Sequence, residues 1–498
     1  MEELKNNKIF IFLVWLFIVI SIIHIAYATY THRGLYCDGG FYFFSMLGNF
    51  ANGIHHFAFD TEHPRFCSLA LVELPLMIVH KFFPTTSKST LMSLFSFVQF
   101  AIPFLSLIWS YFLSKRTGKI DIFFWSLFFY GAVMLPYTIY SVVESLYGII
   151  FHFILWNYLV SDIEYKKRDF VFVFFLLIMM FGTYEYVTYL GVVFFIAHFH
   201  YLFTNKNQSL KSQLLKIIIG WGSLAASIFD FVYMFHVPGE DGEVMRFLKE
   251  FVDFLPYVLH LNSLFSIIIT IILFTFIFKK TRIGIISVVL ISLIQVIIFR
   301  YLYTHPDLSI YPMWEQHLRS VPCWTLPVVF IGMYIKDLFG TIDKVKFSNY
   351  ICIALICAIA QTSWQLVESY YWNINVQYIK DELANTDDLL YIASAHENVI
   401  SDFHNENLRR HIWHGTYALM SILLSETYKQ KTLLVNYDTQ YEDSNAPYRH
   451  RLFVIPEEQK ISIPFGVVVD IKNQYWDLTD CAEALDKYNK EHNIKTDG

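Results

Sequence analysis

The sequence predicts an all-α polytopic membrane bundle of about 11 crossings plus interfacial helices, followed by a small C-terminal soluble α/β domain. Three observations predict it. The 498 residues are 55% hydrophobic and only 16% charged, with a mean hydropathy of +0.42, which an ordinary soluble chain of this size does not approach. Apolar runs close to the roughly 20 residues that cross a hydrocarbon core recur through the first 368 positions. From 369 to 498 the chain turns polar, with short β-like runs at Leu389–Ala393, Thr432–Val435, Leu452–Ile455 and Phe465–Val469.

The elements follow in order. Residues 9–28 are apolar, preceded by Lys5 and Lys8, and end without a small-residue cleavage pattern, so they read as a retained membrane helix rather than a cleaved signal peptide. Further spans are expected near 89–114, 121–138, 142–160, 170–183, 184–203, 215–236, 258–278, 283–301, 322–337 and 350–368. The stretch 67–83 is short and holds Glu73 and Pro75, so it is expected to lie in the interface or to dip in and return. Two domains result: a membrane module over 1–368, with a first outer loop at 29–88, and an extracytoplasmic domain over 369–498.

Cytoplasmic loops are enriched in Lys and Arg. The basic loops here are Lys115-Arg116 with Lys119, Lys166-Lys167-Arg168, Lys206 through Lys216, Lys279-Lys280 with Arg282, and Lys336 through Lys346. All five fall on one side only if 66–114 crosses once. That choice places the N-terminus in the cytoplasm and the C-terminal domain outside. A bacterial inner membrane with a periplasmic C-terminal domain is the first expectation, and an endoplasmic reticulum membrane the second.

Charge and cysteine use exclude several classes. The net charge of −6, from 37 basic and 43 acidic residues, gives no surface for nucleic acid. The six cysteines show neither a CxxC nor a Cys/His metal spacing, although Cys37 and Cys67 could meet across the first loop.

The ionisable residues gather on the expected outer side: Asp38, Asp60, Glu62, Arg65, Glu73, Glu144, Glu185, Glu315, His317 and Arg319. Charge near hydrocarbon is expensive unless it faces water or a partner, so each is a functional candidate, the alternative being loop residues in water or structural ion pairs. The first loop is the most informative. It reads Tyr36-Cys37-Asp38-Gly39-Gly40-Phe41-Tyr42-Phe43 and then Asp60-Thr61-Glu62-His63-Pro64-Arg65-Phe66. A carboxylate at the mouth of a bundle, with histidine and arginine close behind, has the parts to handle an anionic lipid-borne substrate.

These residues resemble the integral-membrane GT-C glycosyltransferases, in the branch of the protein O-mannosyltransferases and lipid A aminoarabinose transferases. The resemblance rests on Asp38 after the first helix, the aromatic pair Phe41-Tyr42, His63-Pro64 opening an apolar run, and Glu144 after Pro136 at the third crossing. Two departures stand out. Many members carry two adjacent acids at the first position, where Asp38 is followed by Gly39, and Arg65 replaces the second proline of the usual pair.

The resemblance implies transfer of a sugar from a polyprenyl-phosphate donor to a hydroxyl of a glycolipid, polysaccharide or protein on the extracytoplasmic face of a cell envelope. It also implies inversion, with Asp38 as the general base. Arg65 and Arg319, with His63 and His317, would hold the departing phosphate, since an Arg fork binds its oxygens bidentately. Arg319 would otherwise be a snorkelling residue at the start of its helix. Glu144 would orient the acceptor or help hold a divalent cation, Mg or Mn, and metal dependence stays open. Asp60, Glu62 and Glu185 are substrate or structural residues, and Glu185 in Thr183-Tyr184-Glu185-Tyr186 would equally be a polar group capped by tyrosine hydroxyls.

The 369–498 tail shows no catalytic motif, and Trp364, Trp372 and Tyr378 are expected as interface anchors. The alternative functions are a flippase or polymerase for a lipid-linked saccharide and a secondary transporter. A transporter predicts an internal repeat, which the chain does not show.

Overall fold

The computed structural model describes residues 8–36, 39–40, 42–43, 46, 69–135, 145–181, 183, 187–204, 208–236, 326, 329–334, 347–385, 390–392, 420–421, 423–424, 432–434, 449–451, 461–462, 468–469 and 475–477. The described chain is built on nine helices: α1 (Lys8–Tyr30), α2 (Leu74–Phe82), α3 (Lys88–Thr117), α4 (Ile120–Phe129), α5 (Ser145–Val160), α6 (Lys167–Met180), α7 (Val187–Thr204), α8 (Leu210–His236) and α9 (Phe347–Asn385). Two π-helical turns adjoin them, Leu69–Glu73 before α2 and Tyr130–Met134 after α4. Three helical segments, Lys8–Tyr30, Lys88–Thr117 and Leu210–Val232, are long and apolar enough to cross a membrane.

Their outward faces agree with a lipid surrounding. On α1 the buried stripe is Leu13, Phe17, Ser21, His24 and Ala28, at helical spacing, while Phe12, Trp15, Val19, Ile22 and Ile23 are exposed. On α6, Val171, Phe172, Phe174 and Phe175 point out, and on α8 Trp221, Ile228 and Phe231 do. A water-soluble bundle would not leave this much apolar surface uncovered.

α1 and α3 run antiparallel and are matched in level. Along α1 and α3, Gly34 meets Ser96, His24 meets Phe100 at 5.1 Å and Phe17 meets Phe104 at 5.9 Å. The chain therefore leaves α1 and re-enters α3 at the same end of the pair. The segment between them, including the π turn and α2, does not carry the chain to the other end, as the reading of 66–114 as one crossing requires. α3 begins at the Ser87 cap, whose Oγ accepts from Thr90 N at 3.1 Å, and stops at Gly118, whose φ of 76° suits a residue without Cβ. α4 returns beside it through Ser110 Oγ and Ser126 Oγ, 2.7 Å apart. Small residues bring the remaining helices close: Gly191 of α7 lies against Ser223 and Ser227 of α8, and Gly131 against Ala358 of α9.

One end of the bundle is tied by polar side chains. Arg116 donates to both carboxylate oxygens of Asp169, at 2.6 and 2.9 Å, and to Glu164 O at 3.0 Å. Asp169 also accepts from Lys166 N at 2.7 Å and from the Tyr158 hydroxyl at 3.3 Å. Burial opposes ionisation of this carboxyl, but its four donors outweigh that and hold it below the usual carboxylate range. Asn157 joins α5 to Ser114 and Thr117 at 2.8 Å each, and buried Lys216 pairs with Asp162. Three of the basic segments, at 115–119, 166–168 and 211–216, thus meet at one end. The segments near 279–282 and 336–346 lie outside the described residues.

α9 differs from the expected 350–368 span. It runs unbroken through positions 368 and 369 to Asn385, 39 residues or about 58 Å, against about 30 Å of hydrocarbon. It lies parallel to α1: Ala358 is level with Gly131, Gln365 Nε2 donates to Leu135 O at 2.7 Å, and Trp372 reaches the end of α1. Beyond it, Leu390–Ile392 pairs parallel with Thr432–Leu434, Arg449–Arg451 antiparallel with Tyr475–Asp477, and Ile461–Ser462 antiparallel with Val468–Val469. Three of these strands coincide with the β-like runs at 389–393, 432–435 and 465–469, while the run at 452–455 is outside the described residues.

Candidate functional site

The candidate site is the corner where α1 ends and the loop bearing Asp38 begins. Thr31 closes the helix: its N donates to Tyr27 O at 2.9 Å and its hydroxyl to the same carbonyl at 3.0 Å. His32 then takes a left-handed conformation, φ 55° and ψ 34°, which turns the chain into a single 3₁₀ turn, Arg33–Leu35. For a residue with a side chain this conformation is costly and persists only where packing imposes it. The packing is complete: Arg33, Leu35 and Tyr36 are buried, as are Phe43 and Met46 further on.

Three contacts hold the corner. The Trp372 indole N–H donates to Thr31 O at 3.0 Å, satisfying a carbonyl left open at the helix terminus. The Arg33 guanidinium lies 4.7 Å from the centre of the Tyr36 ring and 5.9 Å from that of Trp372, and those two rings are 5.3 Å apart. A cation here is favoured by both ring faces and by the negative end of the α1 dipole. Third, Gly34 presses on α3: its N donates to Ser96 Oγ at 3.1 Å, and a Cβ on it would sit 2.7 Å from Ser96 Cα.

Gly39 continues this packing. Its N donates to Tyr36 O at 3.3 Å, and a Cβ added to it would overlap the Gly34 carbonyl oxygen and stand 3.3 Å from Gln99 Nε2. No side chain fits at 39 while Gly34 stays against α3. The aromatic stretch is held similarly, with Phe43 against Phe95 at 5.3 Å.

The ionisable groups of the corner, Arg33 and His32, and Glu73 of the π turn are all buried. Burial, aided by nearby Lys380, lowers His32 from 6.5 to about 4, so it is neutral at pH 7. Its Nδ1 lies 3.4 Å from Ser93 Oγ. Glu73, at the end of the π turn, is buried with Oε2 lacking a hydrogen bond among the described residues, and burial pushes it up to about 8. Gln99 Oε1 and His24 Nε2 are also buried without a hydrogen-bond partner among the described residues.

Asp38, Glu144, Arg65, Arg319, His63, His317, Asp60, Glu62 and Glu185 all lie outside the described residues. The residues flanking three of them are described. Tyr36 and Gly39 flank Asp38, Leu135 and Ser145 flank the stretch with Glu144, and Thr183 and Val187 flank Glu185. All three pairs sit at the end of the bundle away from the Arg116–Asp169 network, since α4, α5 and α7 each have their other terminus beside it. Among the described residues, no three His, Cys, Asp or Glu side chains gather where a metal could bind.

Arg33 and Trp372 are the site residues that the sequence analysis did not pick out. Trp372, expected as an interface anchor, is fully buried in the helix-to-loop contact. The signal was present in spacing: Gln361, Gln365, Glu368, Trp372 and Asn375 recur at intervals of four and three, and all are buried, so α9 carries a polar stripe toward the bundle interior. Comparison of the chain with protein-family models, curated proteins and solved structures finds no match.

Proposed function

We propose that this protein is an inverting membrane glycosyltransferase that moves a sugar from a polyprenyl-phosphate donor to an acceptor hydroxyl on the extracytoplasmic side. Asp38 is the general base. It takes the acceptor proton as the hydroxyl oxygen attacks the anomeric carbon, and the bond to the lipid phosphate breaks on the opposite face. Because the phosphate is already a good leaving group, one proton-transfer group is enough. Arg65 and Arg319, with His63 and His317, neutralise the leaving phosphate, and Glu144 orients the acceptor or shares a divalent cation.

One observation carries the reading. The residues on either side of Asp38 are anchored in a tightly packed corner at the end of the bundle opposite the basic segments. Positive residues mark the cytoplasmic side of a membrane protein, so this end is assigned to the outside, together with the strands that follow α9. Base catalysis needs a positioned acid, and the described neighbours of Asp38, Tyr36 and Gly39, are anchored.

The test is Asp38→Asn in cells, with mass spectrometry of envelope glycolipids and glycoproteins. The expected result is a protein that accumulates in the membrane normally and loses the sugar, as in a strain without the gene. Sugar transfer retained by that variant would remove Asp38 from the chemistry.

A further inference from the structure

The cation held in the corner is five residues before the proposed base, yet its side chain is fully buried and faces aromatic rings. A buried arginine of this kind is not placed to meet a lipid phosphate in solution. Its contacts include Tyr36 of the loop and Trp372 of α9. Tyr36, two residues before Asp38, clusters with both the Arg33 guanidinium and the Trp372 ring, which are themselves 5.9 Å apart. Gly39, the residue after Asp38, is pressed onto the Gly34 carbonyl. Gly34 and His32 lie against α3, and Thr31 O is held by the Trp372 indole. The loop is therefore clamped between two helices that come from opposite ends of the sequence.

We infer that Arg33 and Trp372 are positioning residues, a latch through which α9 sets the placement of the loop that carries Asp38. The inference rests on the proposed role of Asp38 for its catalytic meaning, but the latch itself is a property of the packing. Trp372 acts twice, through its N–H on Thr31 O and through its ring on Tyr36 and Arg33. Arg33 lies within reach of both rings. α9 continues for 13 residues past Trp372 to Asn385 and ends close to the Leu390–Ile392 strand. A shift of α9 along its axis would reach the loop directly through this one side chain.

The test is hydrogen exchange by mass spectrometry on the full chain in lipid nanodiscs, read on peptides covering 31–43 and, as an internal reference, on α7 and α8. Trp372→Phe keeps an aromatic ring but removes the indole N–H together with the five-membered ring that carries it. It is expected to speed exchange in 31–43 about two- to tenfold, as loss of one buried neutral hydrogen bond implies, with α7 and α8 unchanged. Arg33→Gln is expected to do the same, and Arg33→Lys, which keeps a cation over the rings, to restore much of the protection. Unchanged exchange in 31–43, or an equal rise in all three regions, overturns the latch. If Trp372→Phe loosens 31–43 while Asp38→Asn retains sugar transfer, the latch stands and the transferase reading falls.

Discussion

Gly34→Ala is the sharpest probe of the corner. Gly34 does not have a positive φ, so the demand for glycine there is one of space. The added methyl would lie 2.7 Å from Ser96 Cα, 2.9 Å from Ser96 Oγ and 3.0 Å from Gln99 Oε1, where ordinary carbon contacts are about 3.5–4.0 Å. Ser96 Cα is backbone of α3 and cannot rotate away, so the turn must retreat by about 1 Å. That retreat breaks the Gly34 N–H to Ser96 Oγ bond of 3.1 Å and moves Gly34 O into the space Gly39 occupies. Overpacking costs about 1–3 kcal/mol and the lost hydrogen bond about 1 kcal/mol more. The sum, about 2–4 kcal/mol, is about 30- to 1000-fold in the population of the closed corner. Exchange of the 31–43 peptide should rise on that scale, and envelope sugar transfer should fall with it while α7 and α8 stay protected. Wild-type exchange and wild-type transfer in Gly34→Ala would refute the claim that this approach fixes the loop.

Acid should loosen the same corner. His32 titrates near 4 when closed and near 6.5 when open to water, because burial and then Lys380 disfavour its charged form. The open state therefore binds the proton more readily, so the contribution to closure is complete above pH 6.5 and erodes as pH falls toward 4, by about 3 kcal/mol at most. Exchange in 31–36, corrected for the intrinsic rate, should rise between pH 7 and 5, and His32→Asn, which keeps the left-handed turn, should flatten that rise. At the other end, Arg116→Ala should cost more stability than Asp169→Ala. The first strands a carboxylate whose side chain is 2% exposed, while the second leaves a guanidinium that is 30% exposed and hydrated. The expected cost of Arg116→Ala is about 3 kcal/mol, read as the relative shift in detergent melting; equal or reversed shifts would refute it.

Apolar periodicity and run length located seven of the nine described helices to within a few residues, three of them long and apolar enough to cross a membrane, because a helix that buries one apolar stripe and exposes another leaves a continuous apolar record. Loop charge likewise anticipated the meeting of the segments at 115–119, 166–168 and 211–216, where Arg116 and Lys216 find the acids Asp169 and Asp162 at the bundle end. The end of α9 was not legible: after Glu368 the composition becomes polar, but backbone hydrogen bonds and a buried polar stripe carry the helix to Asn385.

Sequence alone determined that this chain is built for a membrane and that an acid follows its first helix, since both depend on local composition and order. Only the tertiary structure decided what holds that acid's loop. The partners of Thr31, Arg33 and Tyr36 come from a tryptophan 341 positions away from Thr31, and Gly34 owes its identity to Ser96 and Gln99 on another helix. Such constraints come from close approach between distant segments, and no local pattern of residues records a distance.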